Sequence, residues 1–206
     1  MDSIYGTYLP YMERIMETIV SQIEAFYGEH TERTGDKLYE HLSCRIKSEE
    51  SMKAKLSGKN LPVNERSALR EVTDSIGLRI VCLFVDDVYE NVKNIKKIPS
   101  CRVVKEKDYI GNAKPNGYRS YHMILDVETE FPDVDGNVPG HYFVEVQLRT
   151  IAMDTWAALE HELKYKRSIE NQEMIVSELR RCANELASCD VSMQTLRKLI
   201  REQEGL

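Results

Sequence analysis

The chain has 206 residues, 42% of them hydrophobic and 30% charged, with a net charge of −6. That is enough apolar material for a core, and an acidic balance that makes the surface as a whole a poor match for nucleic acid. No stretch reaches the roughly 18 apolar residues that cross a membrane, and the N-terminus has no basic region followed by an apolar run, so neither a span nor a signal peptide is read.

In chain order, Met12, Ile15, Met16, Ile19, Val20, Ile23 and Phe26 recur at helical spacing and predict an amphipathic helix over 11–27, ended by "TERTGDK". "LYEHLSCRIK" reads as a strand, "SEESMKAKL" as a helix with Ser48 as N-cap, and Asn64 as the cap of a short helix through Val72. "GLRIVCLFV" (77–85) is β-branched and apolar, a buried strand. Asp86 and Asp87 then open a helix that closes with Lys93, Lys96 and Lys97, a charge order that complements the helix dipole. "CRVVKEKDY", "SYHMILDV" and "HYFVEVQLRT" are strands. The connector "FPDVDGNVPG" carries Val138 where a calcium loop needs glycine, so it reads as a hairpin with an Asp-Gly turn.

From Ile151 the chain is helical, with Ala152, Trp156, Leu159 and Leu163 on one face. A last helix over 169–205 carries Ile175, Leu179, Cys182, Leu186, Cys189, Met193, Leu196 and Ile200 at 4-3-4-3-4-3-4 spacing, a heptad seam assigned to a subunit contact. Helices and strands mix without regular βαβ repetition, so the fold class is α+β, in one domain over 1–206 with its core at 38–168. The five cysteines (Cys44, Cys82, Cys101, Cys182 and Cys189) are odd in number and lack a CxxC pair, which points to reduced thiols in a cytoplasm. Cys82 reads as core, Cys182 and Cys189 as packing residues of the seam.

Four stretches hold residues suited to chemistry. In "VEVQLRT", Glu145, Gln147 and Arg149 share one strand face; the face reads equally as a solvated edge or as the floor of a cleft with Glu145 a general base or metal ligand. In "DSIGLRI", Asp74 suits Mg²⁺ and Arg79 suits phosphate or a nucleobase, against a helix-terminal Asp and a salt-bridged Arg. In "RIKSEESMKAK", Arg45 and Lys47 share a strand face, and Ser51 and Lys55 a helix face, a set that would hold a polyphosphate without a glycine-rich P-loop. In "KDYIGNAKPNGYRSYH", a Pro-Asn-Gly turn sets Tyr118 at a strand entrance to stack on a base, with Lys107 and Lys114 for phosphates and His122 on the same face; the alternative is a hairpin with a core tyrosine. Two cationic segments on an acidic chain, Arg45–Lys59 and Arg102–Arg119, read as a site for a small polyanion or as two solvated faces.

These stretches, in this order over about 38–168, resemble the synthetase motifs of the RelA/SpoT-homologue family, most closely its single-domain small alarmone synthetases. "NGYRS-x-H" and "E-V-Q-L-R-T" carry the resemblance most strongly. The resemblance implies a nucleotidyltransferase-like mixed sheet flanked by helices, a Mg²⁺ requirement, often a homotetramer, and transfer of the β,γ-pyrophosphate of ATP to the 3′-OH of GDP or GTP in the stringent response. It assigns Arg45, Lys47, Ser51, Lys55 and Arg79 to ATP, Asp74 and Glu145 to the metal, and Glu145 to activation of the 3′-OH. Lys107, Lys114, Asn116, Tyr118, His122 and Gln147 fall to the acceptor nucleotide. Gly111, Ala113 and Tyr121 depart from the family's common "NPKPNGYRSLH". GMP as acceptor, a relative acting on the tRNA 3′ end, a nonenzymatic nucleotide- or RNA-binding regulator, and a regulatory nucleotide or single-stranded RNA stay open.

Overall fold

The sheet is built around one strand. In the structure, a computed structural model describing residues 3–165 and 172–204, β5 (Gly140–Thr150) lies between β2 (Ile76–Cys82), its parallel neighbour, and β4 (Tyr121–Thr129), its antiparallel one. Antiparallel β1 (His41–Ile46) and β3 (Cys101–Asp108) form the edges, giving the order β1-β2-β5-β4-β3. The mixed α+β architecture is the one expected.

Alternation along the strands divides the sheet into an apolar and a polar face. Val144, Val146, Leu148, Leu78, Ile80, Met123 and Leu125 are at most 2% exposed. They join the core with α1 (Leu9–Thr34) and α3 (Val85–Ile95), whose inward residues include Met12, Ile15, Ile19, Val88 and Ile95. Residues of the opposite parity form the other face, and because β5 is central, that face is a cleft floor and not a solvated edge. Removing these apolar side chains from water is the main force holding the sheet to its helices.

Several element limits differ from those read in the sequence. α1 runs through "TERT" and stops at Gly35, whose left-handed φ of 75° lets its N–H bond back to Thr31 O. β2 ends at Cys82, three residues before the predicted limit, because Phe84 caps α3. Ser48 does cap α2 (Glu49–Gly58), accepting from Ser51 N, and Asn64 Oδ1 accepts from Ser67 N before a π-helical turn over Ser67–Glu71. Cys82 is core, as expected. Tyr121 packs edge-on against Tyr89.

The largest correction concerns the C-terminal seam. α4 (Ile151–Tyr165) buries Trp156 against Leu179 and Ala183 of α5 (Gln172–Glu204), and the indole N–H donates to Leu179 O. Leu186 also packs there, while Cys182, Cys189, Met193, Leu196 and Ile200 stay exposed on this chain. The seam thus splits, its first part facing its own domain. Leu159 and Leu163, placed with Trp156 in the sequence, are also exposed. Farther along, Arg197 bonds Asp87 at 2.6 Å and lies over the Phe84 ring, so the second half of α5 docks on α3 through charge. The predicted ends of this helix, 169–171 and 205, and the core limit at 166–168 lie outside the described residues.

The 131–140 connector is organised by Asp133, 1% exposed, which accepts from the backbone N–H of Asp135, Asn137 and His141 and pairs with Arg70. Burial alone would raise its pKa; the bonds from Asn137 and His141 and the Arg70 charge outweigh that and hold it at about 2. A carboxyl depressed from about 4 stabilises the fold above pH 4 and loses that contribution as pH falls toward 2. Urea unfolding across this window should show a loss on the order of 2 kcal/mol that Asp133→Asn does not show.

Candidate active site

The polar face brings the sequence-predicted residues into rows. Across the strands, Ser43, Arg79, Gln147, His122 and Lys107 align in register, and the next row aligns Arg45, Gly77 and Glu145. Arg45, Lys47, Asp74, Arg79, Glu145 and Gln147 line one open cavity of about 180 Å³. Gly77 opens that cavity between Arg45 and Glu145, where any side chain would fill the space.

At one end of the cavity, Asp74 sits in the loop before β2. Its Oδ2 accepts from Lys47 Nζ at 2.7 Å and from Lys55 Nζ at 2.5 Å. Lys47 is positioned by the turn from β1 into α2, its backbone N–H bonded to Ser75 O and its carbonyl accepting from the buried Tyr5 hydroxyl. Burial disfavours the Asp74 carboxylate, but the two lysines outweigh it and lower its pKa. The other oxygen, Oδ1, is buried and has no hydrogen-bond partner among the described residues. Ser51, on the exposed first turn of α2, accepts from the Ser48 hydroxyl at 2.8 Å.

Glu145 has a polar neighbour at each oxygen. Gln147 Nε2 donates to Oε2 at 3.0 Å, and His122 Nδ1 lies 3.5 Å from Oε1. Burial pushes its pKa up, yet His122 and Gln147 together bring it below the ordinary carboxylate range. His122 Nε2 is 2.7 Å from the Tyr118 hydroxyl.

The loop between β3 and β4 is held at both ends. Asp108 Oδ1 accepts from the N–H of Ile110 and Gly111, while its Oδ2 accepts from Tyr89. The Pro-Asn-Gly turn closes through Gly117 N to Lys114 O at 2.8 Å. Asn116 caps the turn, accepting from Tyr118 N, and its amide donates to Glu160 of α4, so it faces that helix and lies off the cavity. Lys114 Nζ rests 4.7 Å from the ring centroids of both Tyr109 and Tyr118, so the cation and ring assigned to one ligand already touch each other. Lys107 lies exposed on β3 near Tyr109.

Three residues of this network were not selected from the sequence. Arg149 was visible as the third polar position of its strand face, Tyr109 lay in the quoted loop without a singling feature, and Asp154 carried no periodic signal. Arg119, in the same loop, bonds the carbonyls of Gly117 and Ala183 and the side chain of Asn184, tying the loop to α5. Gly117 has φ +93°, and a Cβ there would meet Ala183 Cβ at 2.5 Å. Gly117→Ala should therefore cost about 2 kcal/mol or more, read as a lower midpoint of thermal unfolding.

A mixed sheet whose polar face sets Glu145 between the Asp74–Lys47–Lys55 cluster and an aromatic, imidazole-bearing loop defines the class: a nucleotidyltransferase-like fold. The family described as a region found in RelA / SpoT proteins matches residues 44–170. The chain is 36% identical to GTP pyrophosphokinase YwaC of Bacillus subtilis over 164 residues, 80% of this chain and 76% of that protein. It is 33% identical to GTP pyrophosphokinase YjbM of the same organism over 81% of this chain and 75% of that protein. Among solved structures, small alarmone synthetase 2 of B. subtilis superposes with a TM-score of 0.79 at 32% identity, covering 92% of this chain and 96% of that one. Small alarmone synthetase 1 bound to its product pppGpp superposes with a TM-score of 0.76 at 30% identity, covering 94% and 95%. The chain belongs to the RelA/SpoT family.

Proposed function

We infer that this protein is a GTP pyrophosphokinase-type alarmone synthetase, which transfers the β,γ-pyrophosphate of ATP to the 3′-OH of GDP or GTP to give (p)ppGpp and AMP. The observation that carries this reading is the position of Glu145, a carboxylate with two polar neighbours, on the cleft floor between the Asp74–Lys47–Lys55 cluster and the Tyr118–His122 loop. The product-bound state of the B. subtilis relative supports it, as does the complex of small alarmone synthetase 1 with AMPCPP.

In this reading Arg45, Lys47, Lys55 and Ser51 bind the ATP phosphates and Arg79 faces the adenine side. Lys107, Lys114, Tyr118, His122 and Gln147 gather the acceptor, with Asn116 shaping the turn. Glu145, held as a carboxylate, takes the proton of the 3′-OH. The freed oxygen forms a bond to the β-phosphorus, the bond from that phosphorus to the α,β-bridging oxygen breaks, and AMP leaves. The cationic side chains stabilise charge on the phosphate oxygens. The donor set fits Mg²⁺, which takes one or two carboxylates together with substrate phosphates: Asp74 keeps one buried oxygen without a partner among the described residues, and its charge is near enough to Glu145 to push the Glu145 pKa upward against the donors that lower it. When bound, the ion would neutralise charge on the transferring phosphates.

The test is incubation of the purified protein with Mg²⁺, ATP and each of GMP, GDP and GTP, resolved by anion-exchange chromatography. AMP should appear in step with a more highly phosphorylated guanosine; no AMP with any acceptor would overturn the reading.

We further propose a single synthetase domain working in the cytoplasm as a homo-oligomer, a tetramer by the family resemblance, through the exposed stripe Cys189, Met193, Leu196 and Ile200. Leu186, half-buried beside Trp156 within its own chain, is not a clean probe of that contact. Leu196→Glu with Ile200→Glu should lower the mass measured by light scattering without unfolding the protein, and an unchanged mass would remove the contact.

A further inference from the structure

Arg149 is 6% exposed and does not line the cavity, yet it bonds to side chains on both of its sides. Its Nη2 donates to the Tyr118 hydroxyl at 2.9 Å and to Gln147 Oε1 at 2.9 Å, and its Nη1 to Asp154 Oδ1 at 2.9 Å. The same Asp154 oxygen lies 3.5 Å from Arg79 Nη1. Tyr118 leads on to His122, and both His122 and Gln147 end on Glu145. The contacts close a ring: Arg149, Tyr118, His122, Glu145, Gln147 and back to Arg149.

The directions around the ring are set from its two ends: the Arg149 guanidinium only donates and the Glu145 carboxylate only accepts. The Gln147 atom facing Arg149 must be its carbonyl oxygen, so its amide N–H₂ faces Glu145. The Tyr118 oxygen accepts from Arg149, so its single proton goes to its other neighbour, His122 Nε2 at 2.7 Å. With that proton directed at it, Nε2 is the bare nitrogen, and the imidazole proton sits on Nδ1, the atom facing the Glu145 carboxylate. Without Arg149, the Tyr118 hydroxyl is free to turn and accept a proton from His122 Nε2 across the 2.7 Å contact, in competition with the 3.5 Å contact of Nδ1 to Glu145, and neutral imidazole carries its proton on the nitrogen its partners select.

We propose that Arg149, anchored by Asp154, is a positioning residue that sets the tautomer of His122 and the orientation of the Gln147 amide, so that both donate to Glu145. It lies off the cavity lining and acts through the ring. The role of Glu145 as base rests on the reading given above; the tautomer does not, and it is measurable without turnover.

The full-length protein labelled with ¹⁵N-histidine contains five histidines, and His122→Asn identifies the signal. Long-range ¹H–¹⁵N spectra of the neutral imidazole should show His122 protonated on Nδ1 in the parent chain and shifted toward the Nε2–H form in Arg149→Met. Tyr118→Phe, which removes one hydroxyl from a half-buried ring, should release the tautomer in the same way and serves if Arg149→Met does not fold. In turnover, Arg149→Met should lower kcat roughly 10- to 100-fold with KM for ATP within about twofold, and Arg149→Lys should recover part of the loss. A parent chain with His122 protonated on Nε2, or a tautomer unmoved in folded Arg149→Met and Tyr118→Phe, overturns the proposal. A correct tautomer in a protein without turnover would instead overturn the synthetase reading and leave this one standing.

Discussion

Glu145→Gln should leave the protein folded and able to hold both nucleotides while lowering pyrophosphate transfer about a thousandfold. The substitution keeps the shape and removes the proton acceptor. A ribose hydroxyl is a weak nucleophile, and among the described residues no other carboxylate shares the cleft floor between the Tyr118–His122 loop and the donor pocket; Asp74 lies across the cavity with one oxygen already bound to two lysines. An amide at this position also mismatches its neighbours. Gln147 and His122 each direct a donor at it, and an amide offers one acceptor and one donor, so a loss of about 1 kcal/mol in stability is expected. AMP release under saturating substrates and calorimetric titration with a non-hydrolysable ATP analogue separate the two effects. A variant that keeps more than a tenth of the parent rate would remove Glu145 from the role of base.

The second large effect is expected at Asp74. Asp74→Asn leaves Lys47 and Lys55 facing a neutral amide in place of the carboxylate that both contact, so two ammonium groups share a partly buried site with no counter-charge. Transfer should fall by a factor on the order of 10³, because the proposed metal ligand is lost. Affinity for metal-free ATP should rise, because a polyphosphate then supplies the missing negative charge to the two lysines. That opposite response distinguishes Asp74 from Glu145, whose loss leaves the lysine pocket untouched. The stability effect carries a sign as well. The folded pKa of Asp74 is lowered, so its contribution is present above the unfolded value and is lost as pH falls through the folded one. The parent and Asp74→Asn should therefore differ in unfolding free energy at neutral pH and converge on acidification. Unchanged turnover at saturating Mg²⁺ would exclude Asp74 as the metal ligand.

Much of this was legible in the chain itself. Strict alternation in "VEVQLRT" placed Glu145, Gln147 and Arg149 on one face because side chains on a strand point alternately to opposite sides. The Ser48 cap and the acidic start of the following helix were readable because capping is local chemistry, decided within three residues. The donor-side residues were readable as types, cations and a carboxylate in short segments.

What the sequence by itself determined is therefore the local and the periodic: strand faces, helix starts, the turn at Pro115–Gly117 and the residue types of the site. Tertiary structure alone decided whether the polar face of β5 was an edge or a cleft floor, because that depends on which strands pair beside it. It also decided that the heptad stripe of α5 divides between Trp156 and open surface, since periodicity records an apolar face and not what covers it. And it decided that Arg149 and Asp154 join the site, because hydrogen bonds between a strand end, a helix start and a distant loop depend on positions in space that no spacing along the chain encodes.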